Sequence, residues 1–282
     1  MKKLFYMCAD ICRKKLGIQL TYIKRTTGLL GLTAVRSAKG FWYAGDVFDS
    51  SDIAYNLVVN GIVEKEDTEL VEKILTFFLQ SKKDIHFYDI GANTGYYGIF
   101  AVYLGKGKID CVSFEPLKEH ADCIRSSAFL NRIEPFMKIY EMALGSREAT
   151  VEMKVFGSGS SITENFLPDA AYPTRTVTVT TLDAIIKKDS LPNPTFVKID
   201  VEGYEYEVLK GAIFTLTQTK PVFFIEIIKF LKPFLNPNYQ ATFDLMKNVG
   251  YECHASSGSG DGARMFLFLH PDVHVNLIKH LS

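Results

Sequence analysis

No sign of charge dominates this sequence: 32 Lys and Arg face 32 Asp and Glu, and the formal net charge is zero. Such a balance lacks the broad basic surface that holds a nucleic acid backbone, so no nucleic acid partner is expected. Long apolar runs are also missing, none reaching the roughly 18 residues that span a bilayer. Lys2 and Lys3 before Leu4 to Cys8 imitate a signal peptide, but Asp10, Arg13, Lys14 and Lys15 interrupt the apolar stretch too early. Cysteine is sparse and unpatterned. Cys8, Cys12, Cys111, Cys123 and Cys253 form no C-x-x-C pair, which argues against a disulfide framework and fits a reducing, cytoplasmic setting. The histidines, at 86, 120, 254, 270, 274 and 280, show no ligand spacing beside a carboxylate motif, and catalytic zinc needs three protein ligands. No internal repeat is visible.

What is present is an apolar content of 47%, enough for a sizeable core. Residues 1–66 read as a helical or mixed N-terminal extension and 67–282 as the main domain. The extension is locally basic: nine Lys and Arg up to Lys39 face only Asp10. That is either a solvated surface or a patch for peripheral contact with anionic lipid or a phosphorylated acceptor. Leu70, Val71, Ile74, Leu75 and Phe78 predict a helix over 67–79. Strands are then expected at 86–90, 111–114, 137–143, 196–201, 221–227, 251–254 and 265–270, with helical patterns between them. The stretches 150–156 and 176–181 alternate as strands of an insertion, around a Gly157–Ser161 loop that is either a lid or a linker. This is the pattern of a mostly parallel seven-stranded α/β sheet with helices on both faces.

Two motifs carry chemistry. The first is Asp89-Ile-Gly91-Ala-Asn93-Thr-Gly95, where a strand turns into a helix. Glycine and asparagine accept the left-handed backbone that brings a turn close to a ligand. Asp89 precedes the first glycine. A carboxylate there suits an ammonium, such as the amino acid end of S-adenosylmethionine (SAM), and repels a pyrophosphate. Glu115 ends the next strand, where a carboxylate can accept both hydroxyls of a ribose. The second motif is Lys198-Ile-Asp200-Val-Glu202. Pleat alternation would put Lys198, Asp200 and Glu202 on one side, beyond the carboxyl end of the strand, where ligands bind in open sheets. Glu226 ends an otherwise apolar strand and is either a partner for Lys198 or part of the site.

Taken together, FYDIGANTGYYGIF (87–100), VSFEP (112–116), ALG (143–145), TLDAI (181–185), VKIDVEGYEYEVLKGA (197–212) and FFIEI (223–227) resemble the FkbM family of SAM-dependent methyltransferases. The resemblance covers about 85–230. It implies a class I methyltransferase Rossmann-like fold, with the last of seven strands antiparallel, and O-methylation of sugar hydroxyls on glycans, glycolipids or glycosylated natural products. Asp89, Gly91, Asn93 and Gly95 would line the amino acid end of SAM, and Glu115 would hold the ribose. Met142 and Ala143 would lie near the adenine, with Asp200 and Glu202 at the transfer site.

Transfer to a sugar hydroxyl calls for alignment and a base. Asp200 or Glu202 is the expected base, with Lys198 tuning it and Glu226 nearby. A divalent cation on Asp200 and Glu226 is the less favoured alternative. The competing readings are a nicotinamide-dependent oxidoreductase, against which Asp89 argues, and a non-catalytic SAM-binding module, which would not need the carboxylates.

Overall fold

The structure is a computed structural model that describes residues 32–49, 52–81, 84–155, 159–163, 172–231, 234–256 and 263–282. The proposed lipid patch, apart from Arg36 and Lys39, lies outside these residues, as do Cys8, Cys12 and the first two residues of the Gly157–Ser161 loop. Lys39 is paired with Glu72. No helix among the described residues is long and apolar enough to cross a membrane.

The chain opens with a hairpin, β1 (Thr33–Arg36) and β2 (Trp42–Gly45), then α1 (Ile53–Asn60) and α2 (Lys65–Gln80). Next come β3 (Ile85–Ile90), α3 (Tyr96–Gly105), β4 (Ile109–Phe114), α4 (Lys118–Asn131) and β5 (Met137–Tyr140). An inserted sheet is built by β6 (Ala143–Leu144), β7 (Ala149–Lys154) and β8 (Thr174–Thr180). There follow α5 (Leu182–Lys188), β9 (Phe196–Ile199), α6 (Glu205–Lys210) and β10 (Val222–Ile228). After a short β11–β12 pair (Phe230–Leu231, Phe234–Leu235) come α7 (Tyr239–Asn248), β13 (Glu252–Ser256), β14 (Ala263–Leu269) and α8 (Val275–Leu281).

The main sheet has seven strands in the order β13-β14-β10-β9-β3-β4-β5. The pairings β10–β9, β9–β3, β3–β4 and β4–β5 are parallel, whereas β14 runs antiparallel to both neighbours. The last strand in the chain is therefore the reversed one, as expected. Strands buried on both faces are apolar almost throughout, and successive residues feed opposite cores. Phe87, Cys111, Phe196 and Phe224 pack on one side with α2 and α3. Tyr88, Val112, Val197 and Phe223 pack on the other with α5 and α6. Phe41, Tyr43, Ala54 and Leu57 of the N-terminal segment are buried in the first of these clusters, together with Tyr96 and Phe100.

Three expected elements end elsewhere. The strand expected over 137–143 stops at Tyr140, the last residue paired with β4. Beyond Phe114 the Glu115 amide still bonds Tyr140 O, but Pro116 has no N–H to continue the ladder. Ala143 and Leu144 join the inserted sheet instead, alongside β8. The strand expected over 196–201 stops at Ile199, because its partner β3 ends where Gly91 turns left-handed (φ +73°). The helical pattern expected after the 196–201 strand begins at Glu205, whose own carboxylate accepts the Gly203 amide at 2.8 Å, and ends at Lys210.

Candidate functional site

Between β3 and α3 the chain makes a tight turn. Gly91 and Ala92 both donate to Phe114 O, at 3.0 and 3.1 Å, which fastens the turn to the end of β4. A Cβ on Gly91 would overlap the carbonyl oxygen of Asp200, so only glycine allows the turn to lie against the end of β9. Asn93 is left-handed (φ +51°), and its amide donates to Glu115 Oε2 at 2.8 Å. The other Glu115 oxygen accepts the Leu117 amide at 2.9 Å and lies 3.5 Å from His120 Nδ1. Burial opposes a charge on His120, but Glu115 outweighs it and raises the imidazole above its ordinary value.

Asp89 is 1% exposed and lies beneath the turn. Its Oδ2 accepts the Gly98 amide at 2.9 Å, which caps the first turn of α3, while its Oδ1 has no hydrogen-bond partner. Burial pushes its pKa up to about 6, although Lys198 pulls it down.

Within β9, the Lys198 ammonium, 3% exposed, sits 2.8 Å from Asp200 Oδ2 and 4.7 Å from the centre of the Tyr97 ring. Burial would lower the Lys198 pKa, yet Asp200, Asp89 and Glu64 together raise it. The same pairing holds Asp200 below the usual carboxylate range despite burial. Glu202 reaches the cluster through a left-handed backbone (φ +53°) followed by Gly203 (φ +96°), not by the pleat alternation expected from the sequence. Burial, then Asp200 and Glu205, push it up to about 9. Glu226 rises well above its ordinary value, first by burial and then by Asp200 and Glu202. Oxygens of Asp200, Glu202 and Glu226 lie within 4.8 Å of one another. The cluster therefore sets an Asp200 carboxylate held ionised by Lys198 beside two glutamic acids whose proton affinity is raised.

These groups line one cavity of about 230 Å³. Gly91, Asn93, Glu115, Ala143, Lys198, Asp200, Glu202 and Glu226, all singled out from the sequence, border it. Asp89, Gly95 and Met142 are not among its lining residues. Gly95 is left-handed (φ +88°), and a side chain there would meet Ile124 at 2.7 Å. Met142 packs against the second core cluster.

Several wall residues carry no sequence signal. Ile53, Asn56, Val63 and Glu64 come from the N-terminal segment. Met153, Ser160 and Ile162 come from the inserted sheet and its loop, tied to the cluster by Ser161 Oγ donating to Glu202 O at 2.7 Å. His120 stands one helical turn into α4, and nothing in its spacing marks it. The pairing of a carboxylate on a strand end with an imidazole on the following helix was the one available clue. Tyr96 and Tyr97 are buried and also border the cavity.

The chain is similar at low identity to several solved structures. A methyltransferase FkbM from Methylobacillus flagellatus KT is 16% identical over 65% of this chain, with a TM-score of 0.47. This chain spans only 43% of that protein's length. An O-methyltransferase from Bacillus cereus in complex with SAH (S-adenosylhomocysteine) is 12% identical, covering 95% of this chain and 98% of that one, with a TM-score of 0.45. A precorrin-6y C5,15-methyltransferase from Geobacter metallireducens is 14% identical, covering 73% and 89%, with a TM-score of 0.44. No curated protein matches significantly. The family model described as the methyltransferase FkbM domain matches residues 89–253, more than half of the chain and every motif of the cavity from the glycine turn to Glu226. With its seven-stranded Rossmann-like sheet, the chain belongs to the FkbM methyltransferase domain family.

Proposed function

We propose that this protein transfers a methyl group from SAM to a hydroxyl oxygen of a sugar-containing acceptor. The observation that carries the reading is the order of groups along one cavity. Glu115 follows β4, the glycine turn follows β3, Asp200 and Glu202 follow β9, and Glu226 closes β10. Four adjacent strand ends extend over about 14 Å at the ordinary strand spacing. That separation sets a nucleoside-binding carboxylate at one end and a proton-accepting cluster at the other.

The donor set fits SAM. Glu115 Oε2 accepts one backbone amide and keeps a lone pair for a ribose hydroxyl, while Oε1 accepts the Leu117 amide and faces His120. The unpartnered Asp89 oxygen supplies negative potential beneath the turn for an amine. Once bound, SAM supplies a methyl group already activated by a sulfonium. The protein must align the acceptor oxygen and take its proton. Alignment contributes up to about 7–11 kcal/mol and a general base about 10²–10⁴-fold.

Glu202 is the base in this account. Its raised proton affinity matches a weakly acidic hydroxyl, and Lys198 holds the neighbouring Asp200 ionised and in place. Three carboxylates would also suit Mg²⁺. However, the Lys198 ammonium already provides the compensating charge, so the base is proposed to work without a metal. An intracellular site of action accords with free Cys111, Cys123 and Cys253. The test is methyl transfer from labelled SAM to fractionated cell glycans, glycolipids and small molecules. Label in an alkali-stable sugar ether is expected; label confined to protein or nucleic acid would overturn the acceptor assignment.

A further inference from the structure

Glu64 occupies a position that ordinary folding rules do not explain. It is the residue before the first turn of α2, where Ser, Thr, Asp, Asn or Gly would bond the free amides. Its side chain makes no such bond, and its backbone is left-handed (φ +39°, ψ +66°), which is unfavourable for a residue with a long side chain. Strain of this kind points towards function when the surroundings hold it in place. Here the Tyr97 hydroxyl donates to Glu64 Oε2 at 2.7 Å, and the Thr68 hydroxyl bonds Val63 O at 2.7 Å, anchoring the same turn. Glu64 thereby lines the cavity, near enough to Asp200 and Lys198 to feel both charges; burial and Asp200 raise its pKa above its ordinary value and Lys198 pulls it back.

Acidic and basic groups in this half of the cavity are unequal in number. Glu64, Asp200, Glu202 and Glu226 border it, and Lys198 is the one Lys or Arg among its described lining residues. That ammonium is committed to Asp200 at 2.8 Å and to the Tyr97 ring. His120, the other basic group, stands with Glu115 at the far end. An acceptor entering here meets carboxyl groups and, among the described residues, no free cation to pair with an anion.

We propose that Glu64 binds the acceptor and selects polyhydroxylated molecules that are neutral or carry an ammonium group, rejecting those that carry a carboxylate or phosphate. This inference rests on the methyl-transfer reading above. It also assigns acceptor choice to the 53–64 segment, which lies outside the residues matched by the family model. The selection is a matter of like-charge repulsion as much as attraction.

The experiment uses the full chain saturated with S-adenosylhomocysteine. Methyl glucoside, glucosamine and glucuronic acid serve as probes, followed by saturation-transfer NMR. Glucuronic acid is expected to bind at least about tenfold more weakly than the other two, since like charges facing each other are costly. Glu64→Gln should shrink that ratio at least about threefold while leaving the affinity for S-adenosylhomocysteine within about twofold, and Glu64→Asp should keep the wild-type preference. Equal or tighter binding of glucuronic acid, no binding of any probe, or an unchanged ratio in Glu64→Gln would overturn the proposal. Failure of S-adenosylhomocysteine itself to bind is a separate result and would refute the transfer reading instead.

Discussion

Replacing Lys198 with methionine removes the single charge on which the cavity's acids depend. At 2.8 Å, with an effective dielectric constant of about 20, the attraction to Asp200 amounts to about 6 kcal/mol. Desolvation of both ions cancels much of that sum in the intact pair. Deleting one partner is different, because Asp200 is left buried and uncompensated at a cost of about 3–5 kcal/mol. The loss should depend on pH. In the wild type the folded-state pKa of Asp200 lies below its ordinary value, so its contribution is present at neutral pH and fades as pH falls through that depressed value. Without Lys198, burial places Asp200 above its ordinary value, and the folded variant then favours the protonated acid. Asp89, already up at about 6, should rise further. The stability gap between wild type and Lys198→Met should therefore be widest at pH 7 and narrow towards pH 4. Urea unfolding followed by fluorescence at both pH values measures it. A loss below about 1 kcal/mol at pH 7, the size of an exposed pair, or a gap that does not change with pH, would refute the electrostatic account.

Other perturbations follow from the same geometry. Gly91→Ala should lower stability by more than about 2 kcal/mol and abolish SAM binding, because the added methyl meets the Asp200 carbonyl and the left-handed backbone disfavours it; calorimetry and unfolding check both. The rate at subsaturating substrate should rise with pH towards about 9 as Glu202 gives up its proton, and Glu202→Gln should remove that limb and slow transfer about 10²-fold or more. Glu205, 1% exposed and pushed up from 4.5 to about 7, favours the folded state when protonated, so its contribution is lost progressively as pH rises from 4.5 through 7; Glu205→Gln should flatten the decline in melting temperature over that window. Excess chelator should leave the transfer rate unchanged, and a loss restored by Mg²⁺ would assign the carboxylates to a metal instead.

Most of the sheet was legible because its strands are apolar and end at recognisable turns. Phe87 to Ile90 and Phe196 to Ile199 could be read from composition alone, and the glycines at 91 and 95 marked the turn between β3 and α3. Strand ends were less accessible, since each depends on where a neighbour stops: Pro116 ends the pairing available to β5, and left-handed Gly91 ends that of β9. Met142, which the resemblance sets near the adenine, packs against the second core cluster and is not among the cavity's lining residues. Glu202 was placed among the acids for the wrong local reason, as a left-handed turn delivers it. The N-terminal wall of the cavity was hidden. β1 and β2 are only four residues each, and Glu64 belongs to no periodic pattern. Its role arises from long-range contacts with Tyr97 and Lys198 that a local reading does not reach.

Titration calorimetry with S-adenosylhomocysteine and, in parallel, NAD tests the central assignment most directly. The carboxylate under the glycine turn and Glu115 beside it are expected to favour an amine and a ribose over a diphosphate. One molecule of S-adenosylhomocysteine should bind per chain, with no heat from NAD. Saturable binding of NAD with no response to S-adenosylhomocysteine would contradict the account.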